Sequence, residues 1–328
     1  MILKERSRPQ EIFQLESLIQ RTPSVHPLFP QWTEKLRRIT AGFHGEQRVD
    51  SLWHEIPLNL PHFFIHDLFI QKPASSHQID SLLVTSRFVF VLEIKSITGL
   101  LNFDPQLRQF SRTNKDGSID GMRNPDDQLR RHERWLEDFL LQQRLKLPVI
   151  GAIVFTYPSS VVQSRPGTRL MVQSSGLPHL MEQLLVKHPE EILTKTKTKQ
   201  LAQKLNSLHS IKPLEMPRLP AGFVKGVLCP KCPGQNMEFH RRKWSCAECS
   251  YVDSFAHLDT LEQYRSLVSP HITNRDFREF IGIESVSTAS KLMKVANMPF
   301  QGSFKDRVYL IPEKIVRPES ISSNSESI

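Results

Sequence analysis

The chain has 328 residues, 39% hydrophobic and 23% charged, with 43 lysines and arginines against 34 aspartates and glutamates, a formal net charge of +9. That length exceeds one typical core, so two or three domains are expected. No apolar run approaches the roughly 20 residues that cross a bilayer, and MILKERSRPQEIFQLES at the start lacks the apolar segment of a signal peptide; we therefore expect a cytoplasmic protein with no membrane partner. The basic excess favours a polyanion such as nucleic acid.

In chain order, residues 1–40 read as a mostly helical N-terminal extension interrupted by Pro23, Pro27 and Pro30. From 46 to 56, Val49, Leu52, Trp53 and Ile56 recur at helical spacing. Residues 61–71 and 77–95 read as strands. The stretch 124–145 opens as a helix should, with Asn124 as cap, Pro125 in first position and Asp126 and Asp127 in the first turn. PVIGAIVFTY (148–157) is a buried strand and TRLMVQ (168–173) another. Helices are expected over about 177–187 and 189–209. Residues 210–224, with three prolines, read as a linker, followed by a small cysteine-bearing unit (225–254) and a third unit (255–312). The Ser-rich end, 313–328, reads as a disordered tail.

The segment HQIDSLLVTSRFVFVLEIKSITG (77–99) is an apolar hairpin that carries Asp80, Glu93 and Lys95. Charges in apolar strands are costly unless paired or bound to a metal. A reversal symmetric about Ser86-Arg87 makes paired residue numbers sum to 173, which sets Asp80 across from Glu93. Opposed carboxylates repel. Because side chains alternate, Gln78, Asp80, Glu93 and Lys95 collect at one end of a face otherwise made of Leu82, Val84, Val89 and Val91. Ile79, Leu83, Phe90, Leu92 and Ile94 take the other face. A divalent cation between the acids would relieve their repulsion, and oxygen-only ligation suits Mg2+ or Mn2+. The competing reading, a buried Glu-Lys pair, leaves Asp80 unexplained.

The four cysteines, Cys229, Cys232, Cys246 and Cys249, read C-x2-C, thirteen residues, C-x2-C. Four thiolates at that spacing suit tetrahedral Zn2+. Two disulfides would need an oxidising compartment that nothing else here suggests. A structural zinc ribbon, closed at four thiolates, is expected. Between the knuckles lie Arg241, Arg242 and Lys243 with Phe239 and Trp244, a set suited equally to nucleic-acid contact or to a solvated hairpin tip.

In the third unit, Thr273 and Asp276 form a capping-box pattern. Phe277, Phe280 and Ile281 give one short apolar face, and Val286, Ala289, Leu292 and Met293 a second, across a turn with Gly282. This resembles a helix-turn-helix, whose second helix would turn Ser287, Thr288 and Lys291 outward. FQGSFKDRVYLI (300–311) could be a wing hairpin, with Lys305 and Arg307 for phosphates. A helical module for protein contacts is the alternative.

Asp80-x12-Glu93-x-Lys95 on a hairpin resembles the PD-(D/E)XK nuclease core. The motifs around it resemble the NERD, or nuclease-related domain, branch: GFHGE (42–46) before an amphipathic helix, HQID (77–80), LEIKSITG (92–99) and NPDDQLRRH (124–132). The resemblance spans about residues 41–157, within a nuclease-like domain placed at 41–209. It implies an α/β, restriction-endonuclease-like fold: a mixed sheet flanked by helices, here followed by the zinc ribbon and a winged-helix-like domain. It also implies that Asp80 and Glu93 hold the metal and that Lys95 orients the attacking water. Glu46 would add a carboxylate, and Gln128, on a helix face with His132, Leu136 and Phe139, would reach the site. His77 and His132 are read as lone histidines, structural or close to substrate. The expected function is metal-dependent hydrolysis of phosphodiester bonds in DNA; the alternative is a DNA-binding or scaffold protein with a vestigial nuclease fold.

Overall fold

A computed structural model of the chain describes all residues except 72–75, 164–166, 168, 304–305 and 319–328. The first 52 residues form strand β1 (Ile2–Lys4) and helices α1 (Gln10–Gln20) and α2 (Phe29–Leu52). The chain divides into two compact units, one of residues 1–8 and 39–213, the other of 9–38 and 214–328. Residues 1–40, read from sequence as one extension, are thus shared between the units, and α2 contributes to both.

In the first unit, β2 (His62–Gln71), β3 (Ser76–Thr85) and β4 (Val89–Lys95) form an antiparallel meander. Next come β5 (Gly99–Asp104), β6 (Gln109–Thr113) and β7 (Ile119–Met122), then helix α3 (Pro125–Gln142). Strands β8 (Val149–Phe155), β9 (Ser160–Val162) and β10 (Leu170–Gln173) precede helices α4 (Leu177–Lys187) and α5 (Lys195–Asn206). The main sheet has the order β1-β2-β3-β4-β8-β10 and is mixed: β4, β8 and β10 run parallel, and β1 is parallel to β2. A smaller sheet, β7-β6-β5-β9, lies in the stretch where no strands were foreseen.

Both faces of the main sheet are apolar, as strands covered by helices require. Leu82, Val84, Val89 and Val91 join Leu129, Leu136 and Phe139 of α3 and Leu201 and Leu205 of α5 in one core. Leu83, Phe90, Leu92 and Ile94 join Val49 of α2 and Leu177, Leu180 and Met181 of α4 in the other. This is the expected α/β arrangement of a mixed sheet flanked by helices. The helix expected over 189–209 is shorter, because Thr194 caps it by accepting from Lys197 N–H.

In the second unit, β11 (Glu238–His240), β12 (Lys243–Ser245) and β13 (Val252–Asp253) form a small antiparallel sheet. Helix α6 (Ala256–Leu267), strand β14 (His271–Thr273) and helices α7 (Asn274–Ile281) and α8 (Val286–Val295) follow. Strands β15 (Phe300–Gln301) and β16 (Val308–Leu310) complete the sheet β14-β16-β15. The cysteine-bearing unit and the third unit, separated in the sequence reading, share one core: Cys229, Met237, Trp244 and Cys246 pack with Leu258, Leu261, Phe277 and Met293. The tail is packed as far as it is described: Ile315 is buried, and Arg317 bridges Asp253 and Asp259. Val286 is exposed rather than part of its helix's apolar face. No helix among the described residues is long and apolar enough to cross a membrane.

Candidate active site and metal centre

The β3–β4 register is the symmetric one: Ser81 pairs with Leu92, Leu82 with Val91, Leu83 with Phe90 and Val84 with Val89, each pair summing to 173. The ladder stops there. Beyond it β3 stays paired with β2, through Ile79 and Leu68, while β4 stays paired with β8, through Glu93–Ile153 to Lys95–Phe155. Asp67 of β2, opposite Asp80, adopts a left-handed backbone (φ 49°). The Asp80 carboxylate fills the divergence, its Oδ2 accepting from Ile94 N–H at 2.7 Å. A buried amide that loses its strand partner thus keeps a hydrogen bond. Alternation breaks here too: Ile79, expected with Leu83 and Phe90, packs in the core shared with α3 and α5.

Glu93 and Lys95 share a face, as expected. Lys95 Nζ donates to Glu93 Oε1 at 2.6 Å and to Gln128 Oε1 at 3.1 Å. Gln128 therefore points into the site from α3. Its helix starts as read from sequence, with Asn124 accepting from Asp126 N–H and Pro125 in first position. Gln78 is not part of the group; it is exposed and donates to Asp67.

GFHGE lies inside α2, not before a helix. Glu46 is therefore not a residue of a helix start, and a helix N-terminus does not account for its charge. Gly45 explains how α2 comes so close: a Cβ there would overlap Ser96 Oγ and lie 2.9 Å from Thr156 Oγ1. Glu46 accepts from Arg6 Nη1 at 2.6 Å. Arg6 also donates to Asp50 from Nε and Nη2, and to the backbone carbonyl of Asp80 at 2.7 Å. Its side chain is 4% exposed. Asp50 in turn meets His66 Nδ1 at 3.1 Å. Neither Arg6 nor His66 was legible as a site neighbour, for no local pattern links residue 6 to residue 46. The interior glycine of α2 was the one available signal for Gly45.

The electrostatics are strongly perturbed. Burial, then the Asp80 charge, pushes Glu46 up to about 8, against the pull of Arg6. Burial and Asp80 push Glu93 up to about 7, against Lys95 and Arg131. Burial raises Asp80 despite Lys95 and the Ile94 amide. Burial alone would lower Lys95, but Glu93 and Asp80 outweigh it and keep the ammonium above its ordinary value. His77 and His132 are not lone residues: their Nδ1 atoms are 3.1 Å apart. His132 Nε2 is buried without a hydrogen bond, 3.9 Å from Glu93 Oε2. Burial, then His77, lowers His132 to about 3, so its ring is neutral.

In the second unit the sulfurs of Cys229, Cys232, Cys246 and Cys249 lie within 4.8 Å of one another. Zn–S bonds of about 2.3 Å in a tetrahedron set sulfurs about 3.8 Å apart, inside that limit and close to the 3.6 Å between Cys229 and Cys249. The four cysteines are thus positioned to bind a metal and fit structural zinc. Among the described residues, Glu46, Asp80 and Glu93 do not converge as tightly: Arg6 sits on the first, the Ile94 amide on the second and Lys95 on the third.

The remaining sequence candidates are dispersed over surfaces. Arg241 and Arg242 form the β11–β12 turn, with φ of 49° and 65°, and Lys243 starts β12. Ser287 and Lys291 are exposed and Thr288 half-buried on α8. Arg307 stacks over Phe300 at 4.1 Å. Lys305 lies outside the described residues.

No curated protein matches the chain. Residues 41–156, from the GFHGE turn of α2 to the end of β8 beside the site, match the family model of NERD, the nuclease-related domain.

Proposed function

We propose that the chain is a metal-dependent nuclease that hydrolyses phosphodiester bonds of DNA. The observation that supports this reading is that Lys95 links Glu93 to Gln128 where β3 and β4 part, beside Asp80, whose charge is felt at Glu93 and at Glu46, inside the stretch that matches the nuclease-related domain. Glu46 and Glu93, raised by burial and by the Asp80 charge, and Asp80, raised by burial and by Asp67, are poorly satisfied without a cation. Asp80 and Glu93 would hold Mg2+ or Mn2+, with Glu46 as a further carboxylate. When bound, such an ion lowers the pKa of water and offsets negative charge on the phosphoryl oxygens. Lys95 stays protonated, so it serves as a donor that orients water and neutralises phosphate charge, and Gln128 fixes the ammonium in place. Arg6 holds Glu46 and the Asp80 backbone from behind.

The second unit would bind nucleic acid. Thr273 and Asp276 form the full capping box of α7, Gly282 ends it in the left-handed conformation (φ 75°), and α8 begins after Ser285. With β14, β16 and β15 this order supports a winged helix-turn-helix. Arginines in both left-handed turn positions of the ribbon, where Asn-Gly would be unstrained, support a contact role for Arg241 and Arg242, with Lys243 beside them.

The test is cleavage of plasmid and linear DNA with Mg2+ or Mn2+, comparing wild type with Asp80→Ala at equal folding and zinc content. Metal-dependent cutting by wild type alone is expected. Absence of cutting by wild type, or equal cutting by both, overturns the catalytic reading and favours a DNA-binding protein with an inactive nuclease fold.

A further inference from the structure

A cavity of about 310 Å3 is lined wholly by charged residues: Arg108, Asp127, Arg130, Arg131 and Arg134. Three of the arginines are on α3, and Arg130 and Arg134 are one turn apart on one face. Like charges so placed destabilise a helix unless an opposite charge meets them. Arg130 is paired with Asp126 at 3.0 Å, and Arg108 with Asp127. Arg131 and Arg134 have no ion pair among the described residues, and an adjoining cavity shares Arg130 and Arg134 and adds Glu133, Glu137 and Arg169. The cavity has no aromatic or aliphatic lining, so it suits a small anionic group and not an apolar one.

The fourth arginine arrives from the small sheet. Arg108 occupies the β5–β6 turn with φ 55°, a conformation that glycine or asparagine would take with less strain. Asn124, the cap of α3, donates to the Arg108 carbonyl at 3.0 Å and so ties that turn to the helix start. An arginine kept at a strained position and fastened beside three others argues for its side chain. The cavity also adjoins the candidate active site: Gln128 precedes Arg131 by one helical turn, and the Arg131 charge is felt at Glu93.

We infer that this cavity binds phosphate groups of the polynucleotide backbone next to the scissile bond, with Arg131 and Arg134 as the principal donors. The inference rests on the nuclease reading for its substrate. Planar guanidinium forks match phosphate oxygens two at a time, so the cavity would set the position of the strand along α3 without reading its bases.

The experiment uses the full chain carrying Asp80→Ala, without added divalent metal, and measures anisotropy of labelled duplex and single-stranded DNA from 50 to 300 mM KCl. Adding Arg131→Ala and Arg134→Ala should weaken binding about tenfold or more and flatten the plot of log affinity against log salt by about 1.8 for duplex, the share of two phosphate contacts. Replacing both by lysine should restore most of the salt slope. Unchanged affinity and slope with both alanines, or no DNA binding by either protein, overturns the inference. Competition by inorganic phosphate separates sources: if free phosphate displaces DNA at equal or lower concentration than unlabelled DNA does, the cavity is a small-anion site and the backbone assignment fails. Cutting by the wild-type chain decides the nuclease reading separately: cutting with an unchanged slope sinks only the cavity, and a flattened slope without cutting sinks only the catalysis.

Discussion

Arg6 and Glu46 are 40 residues apart in sequence and 2.6 Å apart in the fold. The guanidinium is buried, pairs with two carboxylates and reaches the Asp80 backbone. It therefore joins residues 1–8 to an acid cluster whose family match begins only at residue 41. Breaking a buried pair from one side leaves the other charge uncompensated. Arg6→Ala should lower unfolding free energy by about 3 kcal/mol and let Glu46 rise further above its present value. Arg6→Lys should recover part of this loss, because the charge remains but the fork does not. Denaturant titration of the three proteins is the measurement, and equal midpoints would show that Arg6 holds nothing.

At an ordinary helix position, Gly→Ala gains about 1 kcal/mol from propensity. Gly45 should reverse that sign, because its added methyl overlaps Ser96 and approaches Thr156, which are hydrogen-bonded to each other at 2.9 Å. Gly45→Ala is expected to cost about 2 kcal/mol, the usual scale of overpacking. Ser96→Ala on that background should recover part of it, since Ser96 Cβ remains 3.1 Å away. A double-mutant cycle by chemical denaturation reads both effects; a stabilising Gly45→Ala would refute the close approach.

The cysteine cluster shares its core with α6, α7 and α8, so the metal should hold more than the ribbon. Purified protein is expected to carry one zinc per chain. Stripping it, or Cys246→Ser, should expose Trp244, now 1% exposed, shifting its emission to the red and lowering the cooperativity of unfolding of the whole unit. Full retention of the α6–α8 helical signal without metal would contradict that coupling.

His257 links the ribbon to the helices. Trp244 Nε1 donates to its Nδ1 at 3.3 Å, and Nε2 faces the Leu292 carbonyl at 3.2 Å. Both ring nitrogens are satisfied only when the ring is neutral, since a proton on Nδ1 would confront the indole N–H. Burial lowers His257 to about 4 against an ordinary 6.5. The unfolded chain therefore binds the proton first as pH falls. The stability from the neutral ring is complete above about pH 6.5 and is lost progressively down to about pH 4, a total of about 3 kcal/mol. His257→Gln should flatten this part of the pH–stability curve. The same slope in both proteins would assign the acid sensitivity elsewhere.

Much of the site was readable because its determinants are short-range. The β3–β4 register follows from two apolar runs of matching length and the polar break at Ser86-Arg87, which places the hairpin turn and with it the pairing of the strands. The α3 start, the capping box of α7 and the C-x2-C knuckles lie within a few residues of their own partners. Those patterns determined the hairpin, the grouping of Glu93 with Lys95 and the meeting of four sulfurs. Tertiary structure alone decided the rest. Alternation could not foresee that β3 parts from β4 at Asp80, since the divergence depends on β2 and β8. Periodicity could not find Arg6 beside Glu46, His77 beside His132, or Arg108 beside the arginines of α3. Nothing local ties such pairs together; they meet only because the sheet and its helices close around them, and closure is a property of packing over the whole unit rather than of any window of sequence.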